Sequence, residues 1–197
     1  MSYIVKRTTG TAGAPLFLTF HGTGGSEDQF HSFAEQLIPG AHVTSPRGDV
    51  SENGAARYFK RAAEGVYDME DLGERTHAMA DFIAGEVAQT HATRVIGLGY
   101  SNGANILASV AMMQGDLVDD LILMHPLIPF TPTPQRCLKG RRALITAGEN
   151  DPICPPDLTQ QLVTYLTEQG ADVTMHWHSG GHGIAQSEIA AVQQFLS

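Results

Sequence analysis

Gly99-Tyr100-Ser101-Asn102-Gly103 is the stretch whose reading decides the fold. Ahead of it runs Thr93-Arg94-Val95-Ile96-Gly97-Leu98, a short apolar segment of the kind buried as a central strand. Behind it, Ala104 to Met113 is rich in helix formers and too apolar for a surface helix. A strand that turns sharply into a helix with Ser at the apex is a nucleophile elbow. Its strained backbone lifts Oγ clear of the sheet and aims a helix N-terminus at it. Side chains at Gly99 and Gly103 would collide where strand and helix converge. The pentapeptide alone occurs by chance, and a Gly-rich turn after any buried strand would look similar, so its flanks and the residues farther along carry the decision.

The 197 residues suit one domain, 1–197, with room for a sizeable core. A net charge of -9, from 12 basic and 21 acidic residues without a basic run, argues against nucleic acid or an anionic membrane as partner. Cys137 and Cys154 are the only cysteines, so they outline no disulfide framework, and two free thiols in a reducing compartment are expected. Met1 to Arg7 lacks the apolar core of a secretory signal, and no apolar run approaches the ~20 residues that span a bilayer. A cytoplasmic location is the expectation.

Strand and helix patterns alternate along the chain, which predicts a mostly parallel sheet with helices on both faces. Tyr3 to Arg7 reads as an outer strand. Leu16-Phe17-Leu18-Thr19-Phe20 reads as a buried strand ending in His21-Gly22-Thr23-Gly24-Gly25. Glycines there let a backbone N–H approach a developing oxyanion, and that N–H is assigned to Thr23, with the second from Asn102. A phosphate-cradling loop is the rival, but no G-x-x-x-x-G-K-[ST] is present. Ser26-Glu27-Asp28 is expected to cap a helix carrying Phe30, Phe33, Ala34 and Leu37. His42 to Ser45 is the next strand. Residues 46–59 then form a polar, turn-rich stretch, long for a loop in so small a chain and expected to be either a pocket wall or disordered. Asp68 caps a helix from about Met69 to Thr90 whose apolar stripe is core packing. Buried strands follow at Leu121–Met124 and Ala143–Ala147, then an amphipathic helix over Leu158–Gln169. A last strand covers Val173–His178, before a closing helix that runs to Leu196.

A serine hydroxyl needs a base to take its proton and an acid to orient that base. Asp151 lies just past a buried strand on a loop stiffened by Pro152, and His182 lies past the last strand between glycines. The order Ser101, Asp151, His182 and the placement of all three at the carboxyl ends of strands fit a nucleophilic triad. Glu149 sits on the same loop as Asp151 and is the alternative acid. His176, His178 and His182 are a rival metal set, disfavoured because no H-x-x-x-H pair or ligand carboxylate goes with them, so no metal or other cofactor is expected. His125 also follows a strand, but in the wrong place in the order to be the base. Cys154 reads as a small buried side chain.

These residues resemble the small carboxylesterase/phospholipase branch of the α/β-hydrolases, which includes acyl-protein thioesterase-like enzymes. Within it the likeness is strongest to bacterial esterases of the hydroquinone-resistance type. It rests on residues 21–25, Arg47-Gly48-Asp49-Val50-Ser51-Glu52-Asn53-Gly54, Glu64-Gly65-Val66-Tyr67-Asp68, residues 99–105, Asp151-Pro152-Ile153 and Gly181-His182. It covers essentially the whole chain. The resemblance implies an α/β, single-domain α/β-hydrolase fold of about six to seven strands, with no cap domain. It implies carboxylic ester hydrolysis through Ser101, Asp151 and His182 without a metal, and a homodimer. The N-terminus is short for the full fold and no lid follows the strand after the elbow, so a shallow, open pocket is expected. His21, read as holding its own loop, is carried with Gly22, Arg47, Tyr58, Tyr67, Ile128 and Ile153 as a substrate-pocket residue. The expected function is a serine carboxylesterase for small to medium acyl esters. A thioesterase or lysophospholipase with the same triad and a non-catalytic ligand-binding protein are the alternatives.

Overall fold

Alternation of apolar side chains along short β-branched or leucine-rich segments sends successive residues to opposite faces of a strand. In β2 (Leu16–Phe20), Leu16, Leu18 and Phe20 pack into one core while Phe17 packs into another. In β9 (Asp120–Met124), Leu121 and Leu123 face the first core, Ile122 and Met124 the second. A sheet apolar on both faces must be covered on both. The computed structural model, which describes residues 3–134 and 138–197, shows that arrangement. Cys137 lies outside the described residues.

Seven strands form the main sheet in the order β1-β3-β2-β8-β9-β10-β11. The set is β1 (Val5–Thr8), β2, β3 (His42–Pro46), β8 (Val95–Tyr100), β9, β10 (Arg142–Gly148) and β11 (Asp172–His178). Only β1 runs antiparallel, against β3, and the other pairings are parallel. Residues of α2 (Met69–Thr90), α3 (Asn102–Met113) and α4 (Pro156–Glu168) join the core on one face. Those of α1 (His31–Leu37) and α5 (Gln186–Leu196) join the core on the other. This is the α/β-hydrolase architecture. Among the described residues no helix is long and apolar enough to cross a membrane.

Two local expectations change. The helix expected from Ser26-Glu27-Asp28 begins only at His31, with Phe30 as N-cap and no side-chain cap. The would-be capping carboxylates serve cations instead: Glu27 pairs with Arg47 and Asp28 with Lys6. Residues 46–59 are ordered. Asn53 and Gly54, both with positive φ (51° and 89°), make the two-residue turn of a hairpin between β4 (Val50–Glu52) and β5 (Ala55–Arg57). A second small hairpin, β6 (Arg61–Ala63) with β7 (Val66–Tyr67), follows at once.

The elbow glycines are required by backbone, not by side chains. A Cβ on Gly99 would lie 2.5 Å from the Gly103 carbonyl oxygen, and one on Gly103 would lie 2.3 Å from that of Phe20. Nothing flexible is there to give way. Gly73 and Gly85, inside α2, face open space. Opposite outcomes are therefore expected in urea unfolding: Gly103→Ala destabilises by about 2 kcal/mol or more, whereas Gly73→Ala and Gly85→Ala each stabilise by roughly 0.5–1 kcal/mol.

Candidate active site

The β8–α3 turn places Ser101 with φ 52° and ψ −117°, a backbone state costing about 1–3 kcal/mol. Two hydrogen bonds hold it. Its amide donates to the Met124 carbonyl at 2.9 Å, and its carbonyl accepts the Asn105 amide at 2.9 Å. Ser101 is the N-cap of α3, so the Asn102 amide heads the helix and has no carbonyl four residues back to bond.

The loop after β11 brings His182 Nε2 to 2.9 Å from Ser101 Oγ. His182 Nδ1 lies 2.7 Å from Asp151 Oδ2. The sequence-predicted Ser101, His182 and Asp151 thus form one hydrogen-bonded chain, while Glu149, the alternative acid, is exposed on the same loop. Asp151 Oδ1 accepts the Ile153 and Cys154 amides at 2.8 and 3.0 Å. Burial pushes the Asp151 carboxyl up. The Cys154 and Ile153 amides and the side chains of His125 and His182 outweigh it and leave the group below its ordinary value. The Tyr100 hydroxyl donates to the His182 carbonyl at 2.8 Å, tying this residue to the end of β8.

Opposite the histidine stands the His21–Gly25 loop. Buried His21 accepts the Gly48 amide at Nε2 (2.9 Å), which puts its proton on Nδ1, 2.7 Å from the Gly22 carbonyl. Burial lowers its basicity, consistent with a neutral ring. The Tyr58 hydroxyl donates to the Pro46 carbonyl (2.8 Å) and accepts the His21 amide (3.1 Å). The Gly24 amide donates to Ala56 in the hairpin, and Arg57 donates to the Thr23 hydroxyl at 2.7 Å. Asn102 Oδ1 accepts the Tyr58 amide at 2.8 Å, so loop, hairpin and elbow are one bonded unit. Among the described residues, the Thr23 and Asn102 amides have no protein acceptor.

A cavity of ≈ 200 Å³ opens over Ser101, with Thr23, Asn102 and His182 in its wall. Of the pocket residues expected from sequence, Tyr67 and Ile153 line it. His21, Gly22, Arg47 and Tyr58 stand outside its wall: the first and last brace the loop, and Arg47 pairs with Glu27 on the surface. Ile128 lines a separate groove against α4. Arg57, Arg61 and Glu64, which lie in the 47–67 stretch expected to wall the pocket but were not singled out there, give the cavity a charged side, and Asn105, also not singled out, bridges the Tyr67 hydroxyl and the Leu127 amide with its side chain. The Asn53-Gly54 turn was the signal for the first of these, since it predicts a hairpin that returns Arg57 to the elbow. Cys154 also lines the cavity, but burial pushes its thiol well up, as befits an inert group.

The three histidines of the rival metal set go separate ways. His176 contacts the Ser187 hydroxyl at 3.1 Å, His178 faces Glu188, and His182 faces Ser101. Two other groups, His125–Asp151–His182 and His125–His178–Glu188, have donor atoms within 4.8 Å of one another. Their direct contacts make them chains of hydrogen bonds and ion pairs.

With this geometry in view, the chain matches the dienelactone hydrolase family over residues 48–193. It is 40% identical over 182 residues to MhqD of Bacillus subtilis (strain 168), covering 91% of each chain. A Bacillus cereus carboxylesterase superposes with a TM-score of 0.93 at 35% identity, covering 98% of this chain and 93% of that one. Atu2452, a protein of unknown function from Agrobacterium tumefaciens, superposes with a TM-score of 0.96 at 55% identity over 98% and 95% of the two chains. The fold and these relatives define an ester-hydrolysing enzyme of the α/β-hydrolase class. The chain belongs to the dienelactone hydrolase family.

The buried charges behind the site set a pH dependence of stability. Burial pushes Glu188 up, but bonds from His125, the Thr146 hydroxyl and the Ala185 amide leave it below its ordinary value of 4.5. Burial pushes His125 down, but Glu188 and Asp151 leave it above 6.5. Depressed carboxyls stabilise the fold above their unfolded value and lose that contribution as pH falls through the folded one. A raised histidine stabilises below its unfolded value and loses that contribution as pH rises through the folded one. The contribution of this cluster to the urea midpoint is therefore expected to peak between about pH 4.5 and 6.5 and to decline on both sides, while the lowered His21 and His31 act in the opposite sense below pH 6.5. Glu188→Gln should flatten both declines.

Proposed function

We propose that the chain is a serine carboxylesterase, a single catalytic domain acting on small to medium acyl esters. The observation that carries this reading is the unbroken chain Ser101 Oγ–His182–Asp151, at 2.9 and 2.7 Å, beside two backbone amides without protein acceptors. Ser101 Oγ attacks the ester carbonyl while His182 Nε2 takes its proton, and the developing oxyanion lies against the Asn102 and Thr23 amides. His182 then protonates the departing alcohol. Asp151 holds the Nδ1–H tautomer and balances the imidazolium. A water activated by the same histidine resolves the acyl-enzyme.

The cavity volume of ≈ 200 Å³ supports short acyl groups over the long chains of a lysophospholipase. The charged side formed by Arg57, Arg61 and Glu64 supports substrates that carry polar groups beyond the ester. The elbow glycines, the base and the acid are all in place, which weighs against a ligand-binding protein without turnover.

Hydrolysis of p-nitrophenyl acetate and butyrate is expected to fall by at least about 10³-fold in Ser101→Ala and His182→Ala. A wild-type rate retained by Ser101→Ala would reject the serine mechanism. Along a p-nitrophenyl ester series, kcat/KM should drop by roughly tenfold or more beyond about six acyl carbons. Acyl thioesters of matched length, run in parallel, test the thioesterase alternative.

A further inference from the structure

The order of the triad sets His125 aside, yet this residue is completely buried and touches the triad's acid. It follows β9 with φ of 50°, a strained state for a side chain of its size. Its amide donates to the Thr146 carbonyl at 2.8 Å and its carbonyl accepts the Cys154 thiol at 3.2 Å, so the strain is held in place. His125 Nδ1 lies 2.8 Å from Asp151 Oδ2, the oxygen that also faces His182. Nε2, on the far side of the ring, lies 3.1 Å from Glu188 Oε1 and 3.3 Å from Oε2.

Both carboxylates are saturated with donors. Glu188 receives the Thr146 hydroxyl and the Ala185 amide, each at 2.6 Å, and Asp151 receives two further backbone amides. Carboxylates held this way are ionised, and ionised carboxylates only accept. A neutral His125 would set a lone pair against one of them in a site closed to solvent, a cost that a second ring proton removes. Facing His125 are the Asp151 loop, Glu188 from α5, and His178 on β11, whose ring lies 5.4 Å away and whose Nε2 is 3.2 Å from Glu188. The His182 ring at 5.1 Å, the Tyr100 ring at 5.8 Å and the Cys154 thiol complete the surroundings.

We propose that His125 and Glu188 are positioning residues for the triad: His125, kept as an imidazolium by Glu188, shares the Asp151 carboxylate with His182, fixes it as an anion and extends the activity to lower pH. The proposal rests on the triad reading above. A positive charge 5.1 Å from the His182 ring opposes a second one there, and an acid divided between two donors pulls less strongly on either.

His125→Asn retains an N–H near the Nδ1 position and deletes the charge. The pair His125→Asn/Glu188→Gln deletes both buried charges, so that a folding failure caused by a lone Glu188 does not decide the matter. In each, the acid limb of kcat/KM for p-nitrophenyl acetate should move about one pH unit higher. An unmoved limb with activity lowered alike at every pH, or a shift to lower pH, overturns the proposal. In wild-type protein, ¹⁵N spectra of the histidine rings should give His125 two protonated nitrogens from about pH 6 to pH 8, and a neutral tautomer there overturns it as well. Ser101→Ala run beside these separates the two readings. If it keeps the wild-type rate, the triad falls and His125's part in it falls too, whereas Ser101-dependent hydrolysis with an unmoved limb overturns His125's part alone.

Discussion

The contact between the start of α3 and the ends of β8 and β2 is the constraint on which the rest depends. The Phe20 carbonyl would lie 2.3 Å from any Cβ on Gly103, so helix and strand approach to a distance that only glycine permits. That approach forces Ser101 into its strained φ and ψ and leaves the helix N-terminus beside its hydroxyl. The same closeness joins Ser101 to the other half of the candidate site. β2 ends in the His21–Gly25 loop, so one packing event sets the distance between Ser101 and the Thr23 amide. The strain is borne by neighbours that have no freedom to relax: β9 through the Met124 carbonyl and α3 through Asn105.

A second constraint is electrostatic. Asp151, His125 and Glu188 are buried together at the carboxyl end of β9 and β10, where transfer from water costs several kcal/mol per ion. Apolar residues of similar volume would pack there at lower cost, so stability alone does not account for the cluster. Each charge has its partners within 2.6–3.3 Å, among them backbone amides and a threonine hydroxyl. Such a network has one satisfied arrangement, and any rotation of the Asp151 carboxylate would strand several donors at once. The result is a fixed Asp151 carboxylate, and through its contact with Nδ1 a fixed ring at His182.

How much of this was legible in the chain follows from range. β2, β8, β9 and β10 are short apolar runs, β11 alternates polar with apolar residues, and the order Ser101, Asp151, His182 at strand ends needs only the fold class to suggest a triad geometry. The cap expected at Ser26-Glu27-Asp28 failed because two carboxylates found Lys6 and Arg47, neighbours that sequence distance hides. The Asn53-Gly54 turn is a local and readable signal, but the contact of its hairpin with the elbow, through the Tyr58 amide and the Asn102 side chain, is not. Tyr58 and His21 are conspicuous in the sequence as substrate-pocket residues, yet both stand outside the cavity wall, and only the reading of His21 as holding its own loop fits its bond to the Gly22 carbonyl. Their role as loop braces depends on the Pro46 carbonyl and the Gly48 amide, backbone groups that carry no residue signature.

His125 illustrates the remaining difficulty. By chain order it precedes the acid and so has no place as the base, and order was the strongest local argument available. Its role depends on parallel register: Thr146 stands beside Met124, so the chain leaving β9 turns over β10 and points the next side chain at the loop carrying Asp151. Glu188 reaches the same point from α5, 63 residues on from His125, guided by a bond to its own Ala185 amide at the helix start. A capping glutamate is ordinary in sequence. It acquires electrostatic weight here only because the helix start it caps is buried against Asp151 and His125, behind the candidate site.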